Sequence, residues 1–405
     1  MDYSSSISWL YGIQMFGIKL GLGNMERLLA ALRLPRRGQR FLHVAGTNGK
    51  GSVCAMLDAI CQEAGMRSGL FTSPHLISFC ERMKINGVRI PEHEAAARIS
   101  RLKSLVEAWE PHPTFFELAT ALALDWFTAE ETDIMVLETG MGGRLDATNA
   151  ITPLASVIAP IAMDHEQWLG GTLAEIAAEK AGIIKPGVPV VSAPQHPDAA
   201  GVLLRTAEER GSPLQFVTAP WTQSPVALAG SHQQWNASLA VAALDAAGLG
   251  IPHAAVERGL ANVRWPARFQ RISQGLVLDG AHNPHGARML AEVWRQQFPE
   301  EMATVIFGAV AAKDIAGVLR EIAPIAARLL LVPLRTSRGM TVGELESVCR
   351  VVAPHLPCAG FPDVASAVES ARQSGQKTLV TGSLYLCGEV LSLLEDGLRF
   401  EPSSQ

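Results

Sequence analysis

Nowhere in the 405 residues do eighteen apolar residues run without a break, so no segment reads as a membrane-spanning helix. The opening MDYSSSISWL has no basic region followed by a long apolar stretch, which argues against a secretory leader. Six cysteines, at 54, 61, 80, 349, 358 and 387, form no C-x-x-C pair and no Cys/His spacing suited to zinc. Cys54 and Cys61, seven apart on one expected helix, read as small core residues. These absences lead to the expectation of a reduced, soluble, cytoplasmic protein. Basic charge is also scarce: 34 Lys and Arg stand against 39 Asp and Glu, for a net charge of -5. No basic run exceeds Arg33 to Arg40, which excludes nucleic acid as the expected partner. There is no internal repeat of fixed period, and no repeated apolar surface suggests self-association, so a monomer is expected.

With 48% hydrophobic and 18% charged residues the chain is globular, and its length calls for at least two domains. Short apolar runs at Ile134 to Glu138, Ala155 to Ile161, Val188 to Ser192 and Leu276 to Asp279 alternate with alanine-rich segments of helical spacing. Such alternation predicts an α/β fold with a mostly parallel sheet covered on both faces, in which ligands gather beyond the carboxyl ends of strands. After VRWPARF (Val263 to Phe269) a fresh strand begins, and Thr304 to Phe307, Leu329 to Val332 and Thr378 to Thr381 read as further strands. The division is placed at 268/269: a larger, P-loop-type domain over 1–268 and a smaller, Rossmann-like α/β domain over 269–405.

FLHVAGTNGKGS, from Phe41 to Ser52, is an apolar strand running into a glycine-rich turn with one lysine and then into a helix. Gly46, Gly49 and Gly51 let the backbone approach phosphate oxygens, Lys50 adds a positive charge, and the helix presents its positive end to the same anion. Val44 stands where the first glycine of the general phosphate-loop pattern belongs, and Gly51 separates Lys50 from Ser52. On this segment alone, a tight strand-to-helix turn with an exposed lysine stays open.

ETGMGGRLDATN, Glu138 to Asn149, sets a carboxylate at a strand end ahead of three glycines, a pattern that suits magnesium beside phosphate; a solvated acid on a turn is the alternative. FTSPHL offers Ser73 and His75 on a turn, and MDHEQWLG sets Asp164 and His165 after a strand. Lys180, in AAEKAGIIKPG, lies among small apolar residues, where an amine is costly unless paired or chemically altered, or else snorkels to solvent. PTFFELAT, with Thr114, Phe115, Phe116 and Glu117, suits a flat ring and equally a buried helix start.

Taken in order, HVAGTNGKGS, FTSPHL, FFELAT, ETGMGGRLDATN, DHEQWLG, EKAGIIKPG and LDGAHNPHG resemble the folylpolyglutamate synthase and dihydrofolate synthase family, relatives of the Mur ligases. The likeness runs from FGIKLGLGNMERLL at Phe16 to TGSLYLCGEV at Thr381. It implies an ATP-dependent ligase that activates a folate or dihydropteroate carboxylate as an acyl phosphate and joins it to L-glutamate. Carried over by position, it implies that Gly46, Thr47, Asn48, Gly49, Lys50, Gly51 and Ser52 hold the phosphates, with Asn236, Arg268 and Asp279 as further nucleotide contacts. Ser73, Glu138 and His165 match magnesium ligands, and Lys180 matches a carbamylated lysine serving a second magnesium. Lys50, Glu138, His165 and Lys180 are the implied catalytic group.

On the substrate side, the resemblance points to Ile18, Lys19, Leu20, Thr114, Phe115, Phe116, Glu117, Leu145, Asp146 and Ala147 for the pterin compound, and to Arg82 and His282 for glutamate or the acyl group. Two departures stand out. Ala267 replaces the glycine of the family's usual PGRF linker, so the hinge is expected to be stiffer or differently angled. IKLGLGN lacks an acidic residue found in forms that accept dihydropteroate, which leaves the first-glutamate activity open. The alternatives are a Mur-type ligase acting on another carboxylate and a nucleotide-binding regulator without chemistry.

Overall fold

The computed structural model describes residues 1–13, 21–336, 338–394 and 400–401. Ile18, Lys19 and Leu20 lie outside the described residues.

The N-terminal domain is built on eight strands: β1 (Phe41–Ala45), β2 (Ser68–Phe71), β3 (Met83–Ile85), β4 (Val88–Arg89), β5 (Ile134–Glu138), β6 (Ala155–Ile158), β7 (Val190–Ser192) and β8 (Leu214–Phe216). They lie in the order β4-β3-β2-β5-β1-β6-β7-β8. Every pairing from β2 to β8 is parallel, and β3 and β4 add an antiparallel edge. A parallel sheet must be covered on both faces, and the strands show it by alternation. Phe41, Phe71, Met135 and Leu137 pack on one face with the helices Tyr3–Gly12, Gly23–Leu32 and Phe115–Ala129. Leu42, Val44, Leu70, Ile134 and Val136 pack on the other, with the helices Lys50–Glu63 and Ser231–Ala246.

The C-terminal domain holds β9 (Gln270–Arg271), β10 (Leu276–Leu278), β11 (Ala303–Phe307), β12 (Ala326–Leu331), β13 (Cys358–Gly360) and β14 (Thr378–Thr381). Their order is β13-β12-β11-β14-β10-β9, parallel except for β9 against β10. Neither sheet has a helix on one face only, so the α/β architecture expected from the alternating runs is the one present. The apolar run from Ala155 leaves the sheet at Ile158, because Pro160 has no N–H for the ladder. Among the described residues no helix is long and apolar enough to cross a membrane.

The linker between the sheets carries unusual backbone. Ala267 and Phe269 sit at φ 55° and 42°, in the left-handed region that favours glycine. Hydrogen bonds hold this turn: Phe269 N donates to Asp279 Oδ2 at 2.8 Å, Gly280 N to Ala267 O at 2.9 Å and Ala267 N to Gln270 Oε1 at 2.9 Å.

Candidate active site at the domain cleft

The C-terminal ends of β1, β5 and β6 open into a cavity of about 460 Å³ whose far wall belongs to the C-terminal domain. Residues 46–52 form its floor. Gly46 has φ 154°, and a Cβ there would stand 2.7 Å from the Ala159 Cβ; Gly49 has φ 85°, and a Cβ there would meet Asn236 Oδ1 at 2.8 Å. Only glycine fits either place. The loop is pinned to β6 by Thr47 N and Asn48 N, which both donate to Pro160 O, and by Thr47 Oγ1 donating to Ala162 O. The Lys50–Glu63 helix then begins with no side-chain cap, leaving its first-turn N–H groups turned to the cavity as an anion cradle. Beneath it Gln233 Nε2 donates to Ser52 Oγ and Asn236 Nδ2 to Gln233 Oε1, which fixes the helix start.

Glu138 ends β5 on the cavity wall and is 4% exposed. Burial raises its pKa, opposed by Lys50 and by the Ser73 N–H that donates to Oε2 at 3.1 Å. The glycine turn beyond it is organised by Asp146, which accepts from Gly140 N, Met141 N and Thr148 N. Gly143 and Gly182 let this turn pack on the end of the Leu173–Ala181 helix, since Cβ atoms there would meet Glu179 O at 2.8 Å and the Arg144 Cβ at 2.3 Å. That packing aims Lys180 inward. It is 3% exposed and donates to Gly46 O at 2.9 Å, and burial followed by the nearby Lys50 charge brings its pKa down from 10.5 to about 7. The snorkelling alternative is thereby set aside.

Asp164 is the hub between the domains. Lys313 Nζ lies 2.5 Å from Oδ1, and Asn283 Nδ2 donates to Oδ2 at 3.2 Å, with His282 Nε2 3.7 Å away. Burial alone would raise its pKa, but His282, Lys313 and His165 hold it well below the carboxylate range. His165 stands beside it with Nε2 3.1 Å from Lys313 Nζ; burial and Lys313 lower the imidazole pKa to about 4, so the ring is neutral near pH 7. Asn48 reaches across to Asn283 and to His285 Nδ1, at 3.2 and 2.9 Å. Lys313 and Gln233 were not singled out in the sequence, and Asn283 and His285, though inside LDGAHNPHG, were not picked out as site residues; Asn283 had a local signal as the N-cap before Pro284.

The remaining candidates fall in two groups. Arg268, Asp279 and His282 line the cavity, with Asp279 half-buried and its two oxygens engaged by Phe269 N and Ala281 N. Thr114 and Glu117 form a capping box at the start of the Phe115–Ala129 helix, and Phe115 packs in the core against Tyr11 and Phe79. Phe116 lies under Gly140, Leu145 is half-buried, and Asp146 and Ala147 are buried in the turn. Arg82 is wholly buried, with Nε donating to His75 Nδ1 at 2.9 Å, and burial lowers its pKa to about 10. None of this second group lines the large cavity.

Among the described residues no group of three or more His, Cys, Asp and Glu converges on one point. An all-protein metal cage is therefore not built there. A buried carboxylate at 138 facing a phosphate loop, with the Ser73 hydroxyl and neutral His165 at the same cavity, fits a hard divalent cation whose shell is completed by phosphate oxygens and water.

The comparisons agree with this geometry. Residues 44–192 match the Mur ligase middle domain, and residues 267–393 match the dihydrofolate synthetase C-terminal domain. The chain is 35% identical to the dihydrofolate synthase/folylpolyglutamate synthase of Bacillus subtilis, over 97% of this chain and 99% of that one. A Mycobacterium tuberculosis folylpolyglutamate synthase complexed with ADP and AMPPCP superimposes with a TM-score of 0.91 at 28% identity, covering 98% and 100% of the two chains. A bifunctional folylpolyglutamate synthase/dihydrofolate synthase from Yersinia pestis, complexed with AMPPNP and Mn ion, gives 0.88 at 31% identity, covering 97% and 98%. With its phosphate loop, strand-end carboxylate and two α/β domains closing on one cavity, the chain belongs to the folylpolyglutamate synthase/dihydrofolate synthase family.

Proposed function

We propose that this protein is an ATP-dependent ligase that joins L-glutamate to the carboxylate of a reduced folate and of dihydropteroate, working as a monomer with its hinge at 268/269. The observation that carries the reading is the convergence of the 46–52 loop, Glu138, His165 and Lys180 on one cavity that Asp279 and His282 of the other domain also line, with Lys313 paired to Asp164 of its wall. A carboxylate resists attack by an amine, so it must first gain a leaving group. The γ-phosphoryl group of ATP passes to the substrate carboxylate; the glutamate amine, having lost its proton, then attacks the acyl carbon, the C–N bond forms, and the C–O bond to phosphate breaks.

In this reaction the first-turn N–H groups and Lys50 orient the phosphates and offset charge on them. Ser73, Glu138 and His165 would hold a divalent cation that offsets charge on the transferring group. Lys180 is chemically poised for carbamylation: with a pKa near 7 much of the amine is neutral at physiological pH, and its nitrogen can add to carbon dioxide with loss of one proton. The product is a fixed carboxylate-like ligand suited to a second cation. In this reading, closure of the C-terminal domain over the cavity, with His282 at its wall and Lys313 on Asp164, would exclude water from the transfer.

The test is phosphate release by the purified protein with ATP, Mg²⁺ and L-glutamate, with 7,8-dihydropteroate in one tube and tetrahydrofolate in another, followed by mass analysis. Glutamyl products in both tubes are expected. Turnover only with tetrahydrofolate would restrict the protein to tail extension, and ATP binding without turnover in either tube would overturn the assignment.

A further inference from the structure

Gly51, with Val44, departs from the general phosphate-loop pattern, and the structure gives it a reason besides close approach to phosphate. It lies in the first turn of the Lys50–Glu63 helix with an ordinary helical backbone, where alanine would be the better helix former. What excludes a side chain is the linker. A Cβ on Gly51 would stand 2.7 Å from Trp265 Nε1, 3.1 Å from Cε2 and 3.2 Å from Cζ2. The indole is held from another side by Lys84, whose Nζ lies 5.2 Å from the ring centroid, and it packs against the apolar cluster of the first domain.

Trp265 is two residues from Ala267, where the chain takes its left-handed turn, and three from Arg268, which lines the cavity. One face of the linker is therefore seated on the phosphate-loop helix, while the next residues bond to Asp279 and Gly280 of the closing domain. Pro266 between them has a fixed φ, so a shift of the indole is transmitted to Ala267 with little slack.

We propose that Trp265 is a positioning residue that couples the hinge to the phosphate loop: the indole seated on Gly51 ties the direction of the linker, and with it domain closure, to the first turn of the nucleotide-binding helix. The proposal rests on the reading of residues 46–52 as the phosphate loop. It accounts for a glycine between Lys50 and Ser52 without reference to phosphate geometry.

The experiment is a double-mutant cycle on Gly51→Ala and Trp265→Leu, with Trp265→Phe as the conservative control, reading the Kd for a non-hydrolysable ATP analogue with Mg²⁺ and the kcat for phosphate release. Trp265→Leu is expected to change Kd less than about threefold and to lower kcat more than about tenfold, because it loosens closure and leaves the loop in place. Trp265→Phe keeps a ring on Gly51 and is expected within about threefold of wild type in both. Gly51→Ala in the native background is expected to weaken Kd and kcat about tenfold or more, and to cost less than about twofold once Trp265 is leucine. If the Gly51→Ala effect is as large with leucine at 265 as with tryptophan, the coupling is wrong. If the wild-type protein does not bind the analogue at all, the phosphate-loop reading fails, and with it the proposal; the two failures are distinguishable.

Discussion

Replacing Lys180 by methionine should make the protein more stable at neutral pH while abolishing turnover. The folded-state pKa of about 7 lies below the ordinary 10.5, so the sign runs opposite to that of a lysine that gains a partner. Between pH 7 and 10.5 the unfolded chain holds more protons than the folded one, and wild-type stability rises with pH across that window. At about 1.36 kcal/mol per pKa unit, burial of this amine costs roughly 4 kcal/mol at pH 7. Methionine removes that cost, but it leaves the Gly46 carbonyl without its 2.9 Å partner, a loss of about 1–3 kcal/mol. The net gain is about 2 kcal/mol at pH 7, and it should shrink by roughly 2 kcal/mol between pH 7 and pH 9 as the wild-type penalty fades.

Equilibrium urea unfolding of both proteins in carbon dioxide-free buffer at pH 7, 8 and 9 measures this directly. Adding bicarbonate at pH 8 should raise the wild-type midpoint and leave the variant unmoved, because carbamylation withdraws only the native lysine. A Lys180→Met protein that is less stable than wild type at pH 7, with a difference that does not vary with pH, would refute the reasoning.

Glu138→Gln keeps an acceptor for Ser73 N and removes the charge, so stability should hold within about 1 kcal/mol while kcat falls at least about a hundredfold; unchanged Mg²⁺-dependent turnover would take the carboxylate out of the site. Gly388→Ala places a Cβ 1.9 Å from Leu76 O in the loop that follows Ser73, across the domain contact. It should lower kcat more than about tenfold with nucleotide affinity nearly unchanged, and calorimetric titration of the nucleotide separates the two. Ala267→Gly relieves about 1–2 kcal/mol of left-handed strain, but loses a buried methyl of about 0.8 kcal/mol and adds unfolded-chain entropy of about 0.4–1 kcal/mol. Its urea midpoint should therefore stay close to that of wild type, and a loss above about 2 kcal/mol would contradict the strained turn.

Features encoded over a few residues were legible in the sequence. Glycines around Lys50 and after Glu138 follow apolar strands directly, and strand end, turn and helix start are all short-range events. The core strands could be read because continuous runs such as Ile134 to Glu138 are buried throughout. β3, β4, β8 and β13 escaped because they are two or three residues long and lie at or next to the sheet edges, where Val88, Arg89 and Cys358 are exposed and no apolar run marks them. The partners of Asp164 escaped for a different reason: Asn283 and Lys313 lie 119 and 149 residues away and meet it only across the contact between the two domains. Trp265 on Gly51 is the same kind of contact, visible only once the linker is folded against the helix.

The most direct test of the account is the fate of a carboxylate oxygen. With tetrahydrofolate carrying ¹⁸O in its terminal carboxylate, ATP, Mg²⁺ and L-glutamate, an acyl phosphate intermediate requires that one ¹⁸O leave with each phosphate released, and mass analysis of the phosphate should show it. Phosphate formed during amide synthesis without ¹⁸O would contradict the acyl-phosphate mechanism on which the reading of the site depends.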